Sequence, residues 1–339
     1  MLTSDFDYHL PLERIAQTPI EPRHDSRLLV LPRQRGEPQE NVFHQIGTYL
    51  NTGDLLVINE TRVIPARLFA RKSTGGKVEI LLLKQREAGV WEALVGGKGL
   101  RAGVRVKVED GPEVEIVEEL EGSQRVVRFA QPVELMLPSI GQMPLPPYIH
   151  EKLHNPERYQ TVYARVTGSA AAPTAGLHFT PWLIEKLEDQ GIQFARVTLH
   201  VGLDTFAPVT EEKPEDHHIH TEWCELDAQT AELINRTKDA GGRVIAVGTT
   251  SVRTLETAAA ASATKGRVVP YTGQTGLFIL PGFDFRITDA IVTNFHLPRS
   301  TLLMLVSAFA GRERVMAAYQ VAMDRGFRFY SFGDAMMII

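Results

Sequence analysis

Val244-Ile245-Ala246-Val247 runs straight into Gly248-Thr249-Thr250-Ser251-Val252-Arg253-Thr254-Leu255-Glu256, an apolar run followed by a small polar loop that opens a helix. The pattern recurs where Ile291-Val292-Thr293-Asn294-Phe295 leads into His296-Leu297-Pro298-Arg299-Ser300-Thr301. Each junction sets hydroxyls, free backbone N–H groups and an arginine at a helix N-terminus beside the carboxyl end of a buried strand, where α/β sheets hold anionic or polar ligands. The hydroxyl residues serve equally well as plain helix caps. Neither loop is a G-x-x-x-x-G-K-[ST] phosphate motif, and Gly248 lacks the further glycines of a dinucleotide fingerprint. The junctions therefore point to a nucleotide-like substrate without naming it.

Strands and helices alternate outward from these junctions. Asp54 to Asn59 is a short buried strand, and Pro181 to Gln190 a helix with proline in its first turn, followed by Gly191 and a strand over Phe194 to His200. Ala228–Ala240, Thr301–Ala310 and Arg312–Arg325 supply further helices. Residues between these flanks read differently. Val78–Leu83, Trp91–Val95, Val104–Val108, Val114–Val117 and Arg125–Phe129 are short, partly alternating runs separated by glycine-rich turns, the signature of a small antiparallel barrel. The expected architecture is a layered α/β domain, residues 1–65 and 150–339, holding the ligand site. An antiparallel β-barrel domain, residues 66–149, is inserted into it.

With 339 residues and 43% apolar content, the chain can bury a large core. Cys224 is its one cysteine, which excludes an internal disulfide framework and a multi-cysteine metal site. Met1 leads into polar residues without a basic and apolar leader, and Leu302–Ala310 is too short to span a bilayer, so a cytoplasmic protein is expected. The net charge of −5 hides an asymmetry. Arg62 to Lys107 holds eleven Lys or Arg against three Glu, and Val108 to Gly122 holds seven acids and no base. The basic segment suits a phosphate backbone; it suits a solvated barrel face offset by its acidic neighbour equally well.

Several histidines stand at strand or loop ends. Pro173 to Thr180 delivers His178 just before a helix, His200 closes a strand ahead of Gly202 and Asp204, and His296 lies in the second junction. Each is a proton carrier near neutral pH or a hydrogen-bonded structural residue. His218, His220 and Glu222 alternate, as metal ligands on one strand face would, but Asp216 and His217 mark an exposed polar loop; no metal site is assigned.

Taken in order, the motifs resemble one family from end to end. They are Phe6 to Pro11 with Ile15 to Pro19, Arg23 to Leu29, Asn59 to Arg67, Met143 to Ile149, Pro173 to Thr180, His200 to Gly202, both junctions, and Tyr330 to Met336. The series resembles the S-adenosylmethionine:tRNA ribosyltransferase-isomerases of queuosine biosynthesis. Between Arg71 and Leu137 the likeness is one of general character only.

The resemblance implies transfer and isomerisation of the ribosyl moiety of S-adenosylmethionine onto 7-aminomethyl-7-deazaguanine at the wobble position of tRNA. The products would be epoxyqueuosine-tRNA, adenine and methionine. S-adenosylmethionine would be a consumed substrate, with no cofactor and no metal required. Residue types then assign His178 or His296 as base or acid, and Thr249, Thr250, Ser251 and Arg253 as holders of the methionine carboxylate or ribose. His200, Tyr8 and Arg299 join the substrate site, with Asp7, Asp204 and Asp334 as candidates for the exocyclic amine and Tyr8 or Phe179 for base stacking. Arg62, Arg67, Arg71, Lys98, Arg101 and Arg105 are the expected tRNA phosphate contacts, and a monomer is expected. A methyltransferase with the same donor, lacking its usual glycine-rich loop here, and a non-catalytic tRNA-binding protein are the competing classes.

Overall fold

The computed structural model describes residues 1–202 and 208–339; Asp204 lies outside the described residues. The chain divides into two compact units. One comprises Met1–Thr61, Pro147–Val166 and Ala172–Ile339; the other comprises Arg62–Pro146 and Thr167–Ala171. The second unit thus begins before residue 66, ends before 149 and takes in a short later segment.

The first unit is built on a nine-stranded mixed sheet. Its strands are β1 (Arg27–Leu31), β2 (Gln39–Val42), β3 (Leu55–Asn59), β12 (Gln193–Leu199), β13 (Glu222–Leu226), β14 (Val244–Val247), β15 (Tyr271–Thr275), β16 (Ala290–Asn294) and β17 (Ala335–Ile338). They lie in the order β15-β13-β12-β3-β14-β16-β17-β1-β2. The central β12, β3, β14 and β16 are mutually parallel, whereas β17 runs antiparallel to β16 and parallel to β1. Every residue of β3, β14 and β16 is buried, because both faces of the sheet are covered. The period of two divides each strand between two cores: Leu55 and Val57 face one, Leu56 and Ile58 the other. The first core is closed by helices α3 (Ala228–Asp239), α4 (Thr249–Ala260), α5 (Thr301–Ala310) and α6 (Arg312–Asp324), and the second by α2 (Pro181–Asp189) with Phe43, Ile46 and Phe179. Phe179 is fully buried there, so it is core and offers no exposed face to a base.

The second unit is a closed barrel of six strands in the order β10-β7-β6-β5-β8-β9. They are β5 (Arg67–Lys72), β6 (Lys77–Glu87), β7 (Val90–Gly96), β8 (Arg105–Val108), β9 (Glu113–Glu119) and β10 (Gln124–Phe129), each antiparallel to its neighbours. A one-turn helix, α1, spans Leu137–Ile140, and β4 (Thr61–Val63) pairs with β11 (Val166–Ser169) as a separate ribbon. The α/β class and the antiparallel barrel expected from the sequence are both present.

Candidate active site

β14 and β16 are adjacent, so the two strand-to-helix junctions stand side by side at the carboxyl end of the sheet. Gly248 makes the first possible. Its φ of +89° and ψ of 153° belong to a region that L side chains avoid, and its N–H donates to the Val292 carbonyl at 2.7 Å. A cap at this position without a side chain leaves the first N–H groups of α4 uncapped. The second junction is finished differently, since Ser300 Oγ accepts from the Leu303 N–H at 3.2 Å. Ser300 is thus a true cap, whereas Thr249 and Thr250 are not. Ser251 turns away and donates to Val247 O at 2.8 Å.

Between the junctions lies a cleft of about 580 Å³ including its open mouth, lined by Thr249, Thr250, Asn294 and His296 together with Thr174, Tyr148, Tyr330 and Ser331. That size suits a nucleoside-sized ligand. Thr250 Oγ1 is buried among these residues with no hydrogen-bond partner. Tyr148 Oη lies 2.7 Å from Ser331 Oγ, and its ring meets Tyr330 at a centroid distance of 4.7 Å. Tyr330 holds φ +70°, a strained conformation for a non-glycine residue.

His296 lines the cleft, with Nε2 2.8 Å from Thr293 Oγ1 and its backbone N–H donating to Tyr319 Oη at 2.9 Å. Tyr8 donates its hydroxyl to the His296 carbonyl and packs edge-on against Tyr319. Tyr8 therefore supports the junction from behind, and burial holds its phenol proton far above the usual range. Burial also brings the His296 pKa down to about 3, so its ring is neutral at pH 7.

His178 does not line this cleft. It borders a smaller cavity of about 220 Å³ with Arg23, Leu177 and Ser331, the last of which lines both. Its Nε2 lies 3.2 Å from Asn294 Nδ2 and its Nδ1 2.7 Å from Ser26 Oγ. An amide N–H on Nε2 makes that nitrogen the acceptor and leaves the proton on Nδ1, donated to Ser26. Burial, with the Arg328 and Arg23 charges nearby, brings its pKa to about 3, consistent with the neutral tautomer.

The other expected site residues are held elsewhere. Arg253 is buried, ion-paired with Glu222 and donating to the carbonyls of Leu277 and Thr275, which leaves its charge committed within the fold. His200 stacks on Trp223 and meets Thr61 Oγ1 at 2.9 Å; burial lowers its pKa, and it does not line the cleft. Arg299 binds Asp7, Nε to Oδ2 at 2.8 Å, on the exposed side of its loop. Asp334 accepts from the N–H groups of Arg27 and Arg328 and from the Arg328 guanidinium, a buried strut at the start of β17. Among the described residues no group of three or more His, Cys, Asp or Glu is placed to hold a metal.

Strand pairing decides the barrel's charge. Arg105 stands opposite Glu115 and Lys107 opposite Glu113. Arg67 pairs with Glu79 inside the basic segment at 2.6 Å, and Arg71 with Glu109 of the acidic segment at 3.1 Å, so neighbouring acids offset much of the basic charge. Arg62 is half-buried. Lys98 and Arg101 are exposed in the loop joining β7 to β8, and among the described residues neither forms an ion pair.

Tyr148, Thr174, Asn294 and Tyr330 are cleft residues that reasoning from residue type missed. Asn294 carried the clearest signal, an amide closing a buried strand.

The family model described as queuosine biosynthesis protein matches residues 3–338. The S-adenosylmethionine:tRNA ribosyltransferase-isomerase of Carboxydothermus hydrogenoformans is 56% identical over 343 residues, and that of Desulfitobacterium hafniense 52% over 344; both alignments cover all of both chains. The crystal structure of S-adenosylmethionine tRNA ribosyltransferase from Thermotoga maritima is 41% identical. It covers 99% of this chain and all of its own, with a TM-score of 0.58. A family match over nearly every residue, with both junctions inside it, settles the kinship: the chain belongs to the queuosine biosynthesis protein family.

Proposed function

We propose that the chain is a S-adenosylmethionine:tRNA ribosyltransferase-isomerase. It transfers and isomerises the ribosyl moiety of S-adenosylmethionine onto 7-aminomethyl-7-deazaguanine at the tRNA wobble position and gives epoxyqueuosine-tRNA, adenine and methionine. The observation that carries this reading is 56% identity over the full length to a relative of that name. S-adenosylmethionine is consumed as substrate, and the reading assigns no resident cofactor or metal. It also takes the enzyme to work as a cytoplasmic monomer; among the described residues no helix is long and apolar enough to cross a membrane.

The chemistry suits the cleft. A sulfonium acidifies the adjacent C5′ proton, and a neutral imidazole in the cleft accepts it; His296 is that base. The methionine carboxylate docks on the uncapped N-terminus of α4, where the Thr249 and Thr250 N–H groups and the unpartnered Thr250 hydroxyl receive negative charge. Arg253 takes no direct part, because Glu222 already neutralises it. Tyr148 and Tyr330 offer the aromatic wall for a purine. Lys98 and Arg101 supply the barrel's phosphate contacts.

The test is incubation with S-adenosylmethionine and tRNA carrying the aminomethyl-deazaguanine. Equimolar release of adenine and methionine that depends on the modified tRNA is the expected result. S-adenosylhomocysteine as product would make the chain a methyltransferase, and tight tRNA binding without any release would make it a binding protein.

A further inference from the structure

Four side chains form one line of hydrogen bonds ending at the cleft. Ser26 Oγ meets His178 Nδ1 at 2.7 Å, His178 Nε2 accepts from Asn294 Nδ2 at 3.2 Å, and Asn294 Oδ1 accepts from Thr174 Oγ1 at 2.9 Å. Ser26, His178 and Asn294 are each more than nine-tenths buried. As placed, the amide of Asn294 sets Nδ2 on His178 and Oδ1 on Thr174, and the two contacts pin its plane. An amide has two N–H donors and two acceptor positions; His178 and Thr174 occupy one of each. One N–H and one lone pair remain, and Asn294 and Thr174 both line the cleft.

A donor and an acceptor on one planar amide match the N7 and N6–H₂ edge of adenine, the pair that asparagine reads in nucleic acids. Resting on the reading that the cleft holds S-adenosylmethionine, we propose that Asn294 binds the adenine of the donor through N7 and N6, and that His178 is a positioning residue acting through Asn294. Adenine leaves with the electron pair of its C1′–N9 bond, and an N–H at N7 stabilises the charge that this pair spreads into the ring. His178 needs no change of protonation for this role, and its location outside the cleft is then required by its function.

The test compares S-adenosylmethionine with its 7-deaza analogue, which lacks the N7 acceptor, in binding by calorimetry without tRNA and in adenine or deazaadenine release with tRNA. Wild type is expected to prefer the natural donor at least tenfold in both. Asn294→Ala and His178→Ala lose that preference in binding and retain in release only the intrinsic difference between the two leaving bases, and the double variant is no slower than Asn294→Ala alone, since residues acting as one unit do not add. Thr174→Val, which removes a hydroxyl at the edge of the line, gives a second variant should the buried ones fail to fold; it also loses preference. Equal binding of both donors to wild type overturns the proposal while leaving the enzyme reading intact. Multiplying losses in the double variant overturn the positioning role. Absence of adenine release from the natural donor with the modified tRNA removes the reading itself and this inference with it.

Discussion

Side chains in and beside the cleft carry opposite kinds of cost. Thr250 buries a hydroxyl with no protein partner, a penalty of about 1–3 kcal/mol that a ligand in the cleft relieves. Thr250→Val keeps the shape and removes the hydroxyl, so thermal unfolding of the free protein is expected to occur at the same or a higher temperature. The KM for S-adenosylmethionine is expected to rise about tenfold, one hydrogen bond to a charged group. A lower melting temperature with unchanged KM would mean that the hydroxyl serves the fold alone. His296 and His178 instead hold neutral rings near pKa 3 in the fold, against about 6.5 in the unfolded chain. Between those values the unfolded chain binds more protons. Their contribution is therefore complete above pH 6.5 and lost as pH falls towards 3, by up to about 1.4 kcal/mol per pH unit for each ring. Urea unfolding at pH 7.5, 6 and 5 measures that slope, and His296→Gln is expected to reduce it. The same variant should lower kcat by about 10²–10⁴, the usual worth of a general base, with a smaller effect on donor KM.

At the scale of elements, the junctions depend on how each helix begins. α5 starts from a serine cap, and Ser300→Ala should cost about 1 kcal/mol in stability. α4 starts from a glycine in a conformation that costs an L residue about 1–3 kcal/mol. A Cβ at Gly248 would meet only Thr250 Oγ1 at 3.5 Å and Ala175 Cβ at 3.7 Å, so the penalty of Gly248→Ala is conformational and not steric. The expected outcome is a lower unfolding midpoint together with weaker donor binding by calorimetry, as the α4 N–H groups shift. These elements were legible in the sequence because unbroken apolar runs, a proline in a first turn and a serine before a helix each have one dominant physical reading. The barrel was legible for the same reason, through short alternating runs between glycine turns. The partners of the polar residues were not. Arg253 looked like a ligand group because its helix position was right, but the glutamate that neutralises it lies 31 positions away, on β13. His178 looked catalytic because its loop ends at the sheet, yet the bond that turns it towards Asn294 spans 116 positions. Periodicity reports which face a residue takes; long-range pairing decides what it does there.

Over the whole molecule, charge follows the same logic. Of the two readings the Arg62–Lys107 segment allows, the offset barrel face is the one found: antiparallel pairing of β8 with β9 sets bases against acids that follow within fifteen positions. Exposed pairs of this kind are worth about 0–1 kcal/mol and leave little field for a polyanion. Charge without a partner is then the quantity that matters to RNA. Lys98 and Arg101 have it, exposed on a loop whose Gly97, Gly99 and Gly103 all take positive φ. Each phosphate contact contributes a slope of about −0.7 to −0.9 to the dependence of log K on log salt. Lys98→Ala with Arg101→Ala should therefore weaken tRNA binding at 50 mM salt and make the slope shallower by about 1.5. Arg71→Ala, which also frees Glu109, should weaken binding through the exposed acid while changing the slope much less. Filter binding of the modified tRNA across a salt series checks both. An unchanged slope in the double variant would move the RNA contacts off this loop, and equal slope changes at Arg71 and at the loop would show that the paired arginines open to bind phosphate.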